Sequence, residues 1–440
     1  MNILFTGQTT LHWGRMEFGN MGNYYVVEPF FRELHRVFPG ANIMTTLQMT
    51  DRFCEEENIK VLPMNLYYGF DGHELDDAKN ELELVKEYER TGKFPNTTPY
   101  IDAILEADLV VDLSGDMWGD NADLAAPNRF LVGLYKNRVA QKLRPTFMLA
   151  GSPGPFENAE NKAFAKEVFE NFTLVTNREE ISRKVLEEAG FSTKHVLDCA
   201  CTSYLFEGRK NVDFDELIKN KFVDKSRPVV GVIICGWNFV VAPFSKWPRE
   251  EAEFVPFLET CEYLSEKKGY NVLLISHSNG FPIPPQRFEL QHGRDYVVAE
   301  EMKRLIDKRG IAKHVYLQRD VLDVWTTKAV IGKFDMLISG RLHGAVAGIS
   351  QCVPTVILDY GHEPKAHKLQ GFAQLSQIEE YIVAPENSDE IIKVIEKCWN
   401  NREEIRKKLG VRVPEIQKMA RESFDAMKSV MNREEQGGEL

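Results

Sequence analysis

The chain has 440 residues, of which 43% are hydrophobic and 27% are charged, as in an ordinary globular protein of two or three domains. No run of about 18 or more uncharged apolar residues occurs, which excludes a membrane-embedded bundle. The net charge of −12 disfavours nucleic-acid binding through general electrostatics but allows a local basic pocket. The seven cysteines fit neither a disulfide framework nor a zinc pattern, so we expect buried thiols and a cytoplasmic protein.

Short apolar runs alternate with amphipathic stretches through the first half of the chain. The charged stretch 81–90 is predicted to be a surface helix. The predicted strands are 3–6, 43–47, 59–62, 109–113, 145–150 and 172–176, and the predicted helices are 22–38, 81–90, 129–143, 159–171 and 179–189. This alternation is typical of a parallel sheet covered by helices on both faces.

A polar, charged segment at 207–227 interrupts the alternation and is predicted to be an interdomain linker. A second alternating series follows. Its predicted strands are 229–235, 271–277, 314–317, 336–339 and 354–358, its predicted helices are 250–267, 297–308, 321–328 and 343–351, and a charged helical tail covers most of 388–431.

This pattern predicts an α/β protein with two doubly wound Rossmann-like domains in a GT-B-like arrangement. The predicted domains are residues 1–206 and 228–400, followed by a C-terminal helical segment at 401–440. In such folds, ligands bind at the carboxyl ends of the strands, here between the two domains. The chain has no P-loop, no dinucleotide-binding glycine fingerprint after the first strand, no nucleophile elbow and no H-E-x-x-H motif, which disfavours the corresponding enzyme classes.

The segment S-G-R-L-H-G-A at 339–345 is the strongest candidate for a site, because it lies between a predicted strand and a predicted helix. Gly340 is expected to permit a sharp exit from the strand. Arg341 and His343 then fall at the strand-to-helix junction, where a guanidinium, an imidazole and a helix N-terminus can bind an anion together. The alternative is a helix-start histidine beside a surface arginine in a salt bridge.

A second charged segment follows the next predicted strand and therefore ends at the same edge of the sheet. Asp359, His362, Glu363 and Lys365 place four ionisable groups within seven residues. Pro364 and the spacing of the two nearest histidines exclude a zinc site. The alternative is a solvated charged loop.

Together these segments resemble the polysaccharide pyruvyl transferase family over about residues 20–372. Three departures from the family pattern are Asn23 in place of an aspartate, Ser114 in place of a glycine, and a proline-containing insertion after His277. The similar segments are 339–345, P-T-V-I-L-D-Y-G-H-E-P-K at 354–365, Gly371–Phe372, the glycine-rich loop 19–23, D-L-V-V through Gly115-Asp116 at 108–116, and T-N-R-E-E at 176–180.

The resemblance implies a GT-B-like transferase that moves a pyruvyl group from phosphoenolpyruvate onto two hydroxyls of a sugar, forming a cyclic ketal. The acceptor would be a sugar of a glycan or of a lipid-linked saccharide, bound by the N-terminal domain, and peripheral contact with the inner face of the membrane would be possible. No metal or other cofactor would be required. The remaining candidate substrate-binding residues are Leu342, Gly340, His362, Glu363, Lys365 and Asn23.

The chemistry of phosphoenolpyruvate assigns roles to the charged candidates. Its carboxylate and phosphate need cations, for which Arg341 and Arg178 are the candidates. A group that gives up a proton near pH 7 is needed to protonate the methylene carbon, and this suits His343. Asp116 is the candidate that accepts the hydroxyl proton, and its alternative is a turn or helix-cap aspartate.

Several aromatic residues fall near predicted strand ends, where they could stack on a sugar ring or pack in the core. They are Trp13, Tyr24, Tyr25, Trp118 and Trp237. Two other functions stay open. One is a nucleotide-sugar glycosyltransferase in which Arg341 and Lys365 hold a diphosphate, and the other is a non-catalytic protein that keeps only the anion site.

Overall fold

The computed structural model describes residues 1–8, 19–280, 289–310, 313–360 and 367–435. The chain divides into two compact units. The first unit contains the N-terminal strand, residues 28–202 and the residues from 418 onward. The second unit contains residues 19–27, which include the start of the first helix, and residues 203–417. No helix in the described ranges has both the length and the hydropathy needed to cross a membrane.

The first unit is built on a parallel sheet of seven strands in the order β3-β2-β1-β4-β5-β6-β7. Its strands are β1 (Asn2–Thr6), β2 (Asn42–Thr45), β3 (Ile59–Val61), β4 (Leu109–Asp112), β5 (Thr146–Gly151), β6 (Leu174–Asn177) and β7 (Val196–Asp198). Its helices are α1 (Met21–Val37, whose first residues belong to the second unit), α2 (Asp51–Glu57), α3 (Glu74–Thr91), α4 (Pro99–Glu106), α5 (Arg129–Leu143), α6 (Ala159–Glu170) and α7 (Ile181–Glu188).

The charged helix α3 lies at the surface with Glu83, Lys86 and Arg90 exposed, as predicted for the stretch 81–90, but its other face packs into the core. Ala78 and Val85 are fully buried, and Glu81 is buried against Lys136 with 2.6 Å between Oε2 and Nζ. Lys136 also donates to the carbonyl of Leu66. The buried carboxylate of Glu81 needs a cation, which Lys136 of α5 supplies. The sequence of α3 alone does not predict this partner.

The second unit is built on a parallel sheet of six strands in the order β12-β9-β8-β13-β14-β15. Its strands are β8 (Val229–Ile233), β9 (Asn271–Leu274), the short hairpin β10 (Asn279–Gly280) and β11 (Gln291–His292), then β12 (Val315–Leu317), β13 (Met336–Ser339), β14 (Thr355–Leu358) and β15 (Ile382–Val383). Its helices are α8 (Phe214–Leu217), α9 (Glu251–Glu262, continued by a π-helical turn Tyr263–Lys267), α10 (Arg294–Arg309), α11 (Val324–Ile331), α12 (Leu342–Ile349), α13 (His367–Leu375), α14 (Ser388–Asn400) and α15 (Arg402–Glu435).

Both sheets are doubly wound, which confirms the predicted fold class at the level of each unit. The strands that form the centre of the second sheet are buried along their whole length and are apolar except for Ser339 and Thr355, as expected for a parallel sheet covered on both faces. The strand order reverses between β1 and β4 in the first sheet, and between β8 and β13 in the second. At such a switch point, the loops leaving adjacent strands diverge and open a crevice for a ligand.

Candidate functional site

The loop that leaves β13 lies at the switch point of the second sheet and leads directly into α12. Ser339 closes this loop, because its Oγ accepts a hydrogen bond from the Arg341 amide (3.2 Å) and donates one to the Arg341 carbonyl (2.8 Å). Leu342 begins α12 and is buried, so the helix start is anchored in the core. Arg341 therefore occupies a fixed position between strand and helix, as the sequence predicts.

Gly340 is required by a close contact with Asn238. A Cβ at this position would lie 1.8 Å from Oδ1 of Asn238. That oxygen accepts from the Cys235 amide (3.0 Å), while Nδ2 donates to the carbonyl of Leu358 (3.2 Å). Asn238 therefore joins the ends of β8, β13 and β14, and the close approach of its side chain explains the glycine better than the sharp exit that we predicted.

The guanidinium of Arg341 forms a two-bond ion pair with Asp295. Nε lies 3.0 Å from Oδ2, and Nη2 lies 2.5 Å from Oδ1. Only 15% of the Arg341 side chain and 1% of the Asp295 side chain are exposed. Burial alone would lower the pKa of Arg341, but the Asp295 carboxylate outweighs it and raises that pKa above its ordinary value, so the guanidinium stays charged.

A third ionisable side chain, His277, lies near this ion pair. It is fully buried after β9, and within the described ranges neither ring nitrogen has a hydrogen-bond partner. Burial lowers the pKa of His277 to about 3, and the charges of Asp295 and Arg341 act on it in opposite directions. The ring of Tyr25 meets the imidazole edge-on at 5.3 Å between centroids. His277 is therefore neutral at physiological pH.

His343 lies in the first turn of α12, against the first turn of α1. A Cβ on Gly22 would lie 2.6 Å from Nδ1 of His343, so the glycine makes room for the imidazole. The ring of Phe372 in α13 meets the imidazole edge-on at 6.2 Å between centroids. Asn23 is half-buried in the same turn of α1, where its amide donates to the Asn20 carbonyl (2.9 Å). The predicted residues Asn23 and His343 therefore belong to neighbouring helix starts of the second unit.

A cavity of about 160 Å³ lies beside Arg341 at the switch point. In the part of the chain that the structure describes, all of its charged lining residues are basic. The residues that line it include Lys246, Arg249, Arg294 and Arg341, together with the aromatic side chains Trp237, Phe244 and Trp247. Glu253 pairs with both Lys246 and Arg249 at 2.8 Å, so one carboxylate faces two cations. This cavity is a local basic pocket in an acidic chain.

Asp116 and Arg178 lie together at the carboxyl edge of the first sheet. Asp116 lies in a tight turn after β4, with its Oδ1 3.8 Å from Nη2 of Arg178. Arg178 follows β6 and is buried, and its Nε donates to Oγ of Ser152 (2.8 Å). Ser152 in turn donates to Glu179 (2.9 Å). The structure therefore groups the predicted residues into one set in each unit, and their common crevice stays a prediction.

The end of β4 also carries a buried carboxyl group, Asp112. In the amide orientation that satisfies both neighbours, Asn137 donates to Asp112 Oδ2 (3.1 Å) and accepts from Trp118 Nε1 (3.3 Å). Burial raises the pKa of Asp112 to about 7, against hydrogen bonds from Ser114 and Asn137 that lower it. Asp112 is therefore partly protonated at neutral pH.

The aromatic side chains Tyr24, Tyr25 and Trp118 are core residues. Trp118 is fully buried among phenylalanines of the first unit, and Tyr25 stacks on Phe206 at 4.6 Å between centroids. These three residues therefore cannot stack on a sugar in this structure, whereas Trp237 is half-buried and lines the cavity beside Arg341. For Tyr24, Tyr25 and Trp118, the alternative prediction of core packing is therefore correct.

Four predicted positions, Trp13, His362, Glu363 and Lys365, lie outside the described residues. Across the ranges that the structure describes, no three histidine, cysteine, aspartate or glutamate side chains are grouped so as to hold a metal ion. The seven cysteines are all free thiols. The absence of a metal requirement stays a prediction.

Sequence reasoning missed three residues that shape the site: Asp295, His277 and Asn238. Asp295 lies 46 residues before Arg341, and Asn238 lies 120 residues before its partner Leu358. The sequence gives weak local signals for two of them. Asp295 is an acidic residue near the start of a helix, and His277 is a histidine at the end of an apolar strand. Neither signal names the partner, because the partner comes from another strand or helix.

Two comparisons of the sequence identify relatives. The model of the polysaccharide pyruvyl transferases matches residues 20–362, which confirms the resemblance predicted from the sequence motifs. The amylovoran biosynthesis protein AmsJ of Erwinia amylovora is 22% identical over 387 residues, which cover 82% of this chain and 84% of AmsJ.

Solved structures with a similar fold include a glycosyltransferase and sugar-nucleotide epimerases. A glycosyltransferase from Rickettsia africae matches with a TM-score of 0.58 and 13% identity, covering 98% of each chain. The UDP-GlcNAc 2-epimerase of Neisseria meningitidis, bound to UDP-GlcNAc, matches with a TM-score of 0.56 and 12% identity over 98% of this chain and 100% of its own. These similarities show that the fold is GT-B-like, as predicted.

Proposed function

We propose that this chain, which belongs to the polysaccharide pyruvyl transferase family, transfers a pyruvyl group from phosphoenolpyruvate to a sugar of a glycan or lipid-linked saccharide and forms a cyclic ketal. Family membership indicates a glycan-modifying transferase, and the similarity to a polysaccharide biosynthesis protein agrees with that role. The donor, the ketal product and the cytoplasmic location are the specific parts of the proposal.

The observation that carries the proposal is the cationic cavity beside Arg341 at the switch point of the second sheet. Phosphoenolpyruvate is a small molecule with a phosphate and a carboxylate, and both anions need cations in a partly dry site. Arg341 would bind one anion directly. Arg249 donates to the carbonyls of Val241 (3.0 Å) and Pro243 (3.1 Å) and pairs with Glu253, so it would shape the wall of the cavity more than it would bind the ligand.

The chemistry at this site would begin with protonation of the donor. His343 would give a proton to the methylene carbon, which becomes a methyl group, and C2 becomes an oxocarbenium-like centre. The first sugar hydroxyl would form a bond to C2 and release its proton to a base, for which Asp116 is the candidate.

Loss of phosphate and closure of the ring would complete the reaction. The bond between C2 and the phosphate oxygen would break, and phosphate would leave with the bonding pair. The second hydroxyl would then bond to C2. Asp116 would pass the first hydroxyl proton to the leaving phosphate or to solvent, and the proton of the second hydroxyl would restore His343, so the reaction balances without an oxidant or a reductant.

Nucleotide-sugar glycosyl transfer is the second candidate. The fold similarity to the Rickettsia glycosyltransferase and to an epimerase bound to UDP-GlcNAc favours it, and the same cationic cavity could accept a diphosphate. In this alternative, the pyruvyl donor would not bind.

A ligand panel separates the two candidates. The protein would be heated with phosphoenolpyruvate, with inorganic phosphate, with UDP and with UDP-GlcNAc. A ligand present at a hundred times its Kd is expected to stabilise the folded protein by ~2.7 kcal/mol. We expect this shift with phosphoenolpyruvate, followed by phosphate release when a sugar acceptor is added. A shift with UDP-GlcNAc alone would favour the glycosyltransferase.

A further inference from the structure

One edge of the Arg341 guanidinium is already occupied by Asp295. Nε and Nη2 each donate one hydrogen bond to this carboxylate, at 3.0 and 2.5 Å. A guanidinium carries five N–H groups in a fixed plane, so three of them remain. One on Nη1 and one on Nη2 lie along the edge that these two nitrogens form, and the third lies on the far side of Nη1. Arg341 can therefore hold a second anion with two parallel hydrogen bonds through its Nη1–Nη2 edge.

The backbone that carries Asp295 is itself held by neighbouring segments. Asp295 lies in the first turn of α10, and its amide donates to Oγ of Ser278 (3.0 Å). Gly293 allows this approach, since a Cβ there would lie 2.5 Å from the carbonyl carbon of Ser278. Ser278 also pairs with Asn20, which precedes α1. The backbone of Asp295 therefore lies at a junction between the loop after β9, the start of α10 and the segment before α1.

The surroundings of Asp295 offer it one cation. In the described part of the chain, Arg341 is the only basic side chain that forms an ion pair with it. The nearby His277 is buried and neutral, because burial lowers its pKa to about 3. Asp295 and Arg341 therefore compensate one another, and neither can move away alone without leaving a buried charge.

We propose that Asp295 is a positioning residue that fixes Arg341 and aims its Nη1–Nη2 edge at the phosphoenolpyruvate anion. This inference rests on the proposed function for its ligand, while the fixing of Arg341 does not depend on it. In the opposite arrangement, Asp295 would occupy the anion site as a competitor, and the substrate would have to displace it. The two arrangements predict opposite effects on affinity when the charge of Asp295 is removed.

Calorimetric titration with phosphoenolpyruvate and steady-state kinetics test the proposal on the Asp295→Asn variant. Glu301→Gln is the matched control, because Glu301 lies on the same helix and pairs with Arg304 at 2.6 Å on the protein surface. We expect Asp295→Asn to weaken binding at least tenfold and to raise KM more than it lowers kcat. Asp295→Glu is expected to recover part of the affinity, and the control is expected to behave as wild type. Tighter or unchanged binding in Asp295→Asn would overturn the proposal.

A second measurement judges the fixing of Arg341 without any ligand. In NMR spectra of protein labelled with ¹⁵Nε-arginine, the signal that disappears in Arg341→Lys belongs to Arg341. The rate at which the Nε–H proton of Arg341 exchanges with solvent is then compared between variants. We expect slow exchange in wild type and in Glu301→Gln, and fast exchange in a folded Asp295→Asn protein. Slow exchange in Asp295→Asn would contradict the inference. Failure of wild type to bind phosphoenolpyruvate would instead contradict the proposed function.

Discussion

Gly22 and His343 are in direct contact, since a Cβ on Gly22 would lie 2.6 Å from Nδ1 and 2.7 Å from Cβ of the histidine. The start of α1 therefore sets the position of the imidazole that we propose as the acid. Two residues that are 321 positions apart in the sequence thus form one structural unit at the site.

Replacing Gly22 is expected to harm both the fold and the turnover. Gly22→Ala forces the imidazole or α1 to shift, with a packing cost of ~1–3 kcal/mol and a loss of turnover of ~10²-fold through misplacement. Gly410→Ala in α15 is the control, because no atom lies within 4 Å of a Cβ there. That change is expected to stabilise the protein by about 0.5–1 kcal/mol in urea unfolding. Unchanged turnover in Gly22→Ala would show that the contact is unimportant.

Replacing His343 separates proton transfer from binding. If His343 is the acid, His343→Asn keeps most of the affinity for phosphoenolpyruvate and loses ~10²–10⁴-fold in saturated turnover. His73→Asn, which changes an exposed histidine at the start of α3, is the control. Affinity and saturated turnover are measured on the same preparation. Weaker binding with nearly intact saturated turnover would make His343 a phosphate ligand instead.

Replacing Arg341 is expected to affect stability and binding through different causes. Arg341→Ala leaves the Asp295 carboxylate buried without its partner, which is expected to cost ~3–5 kcal/mol in urea unfolding. The double variant Arg341→Gln with Asp295→Asn removes both charges, and we expect it to regain most of that stability. Its affinity for phosphoenolpyruvate is still expected to be lost, because the cation is gone. Wild-type affinity in the double variant would place the ligand elsewhere.

The buried carboxyl group of Asp112 predicts a pH dependence of stability. Burial raises the pKa of Asp112 to about 7 in the folded protein, while an unfolded aspartate titrates near ~3.9. Between these two values the folded state binds more protons than the unfolded state. The contribution of Asp112 to the free energy of unfolding is therefore complete at low pH and is lost as the pH rises from about 4 to 7.

The Asp112→Asn variant measures this contribution. Relative to wild type, it is expected to gain ~1.4 kcal/mol of stability for each pH unit between about pH 4 and 7, because the amide does not titrate. Urea unfolding at several pH values gives the slope. Asp102→Asn, at an exposed position of α4, is the control and is expected to follow wild type. A difference that does not vary with pH would show that Asp112 is ionised normally.

The fold was predictable because its signal is local. Apolar runs such as β4 and β13, separated by amphipathic helices, indicate a doubly wound parallel sheet. Short or weakly patterned elements were missed, among them α2, α4, β7 and β15. The start and end of α5 were predicted to the residue. The positions of glycine and proline do not predict the bounds of these short elements, because their formation depends on tertiary packing.

The site was predictable only where a motif carried it. The strand-to-helix junction at Arg341 and His343 could be recognised from 339–345, and the structure confirms that β13 passes into α12 there. The partners of these residues come from distant parts of the chain, and no periodicity predicts Asp295 for Arg341 or Gly22 for His343. The catalytic and binding roles of the predicted residues stay predictions.

The division of α15 between the two units has a consequence for biosynthesis. Residues from 418 onward belong to the first unit, where the ring of Phe424 meets that of Phe30 at 4.8 Å between centroids and Ala420 and Met427 are fully buried. The N-terminal unit therefore lacks part of its core until residues 418–431 have been translated. A ribosome that stalls at the end of the second unit would leave Phe30 of α1 without its partner Phe424, so emergence of the second half of α15, rather than of residue 202, permits this unit to complete its core.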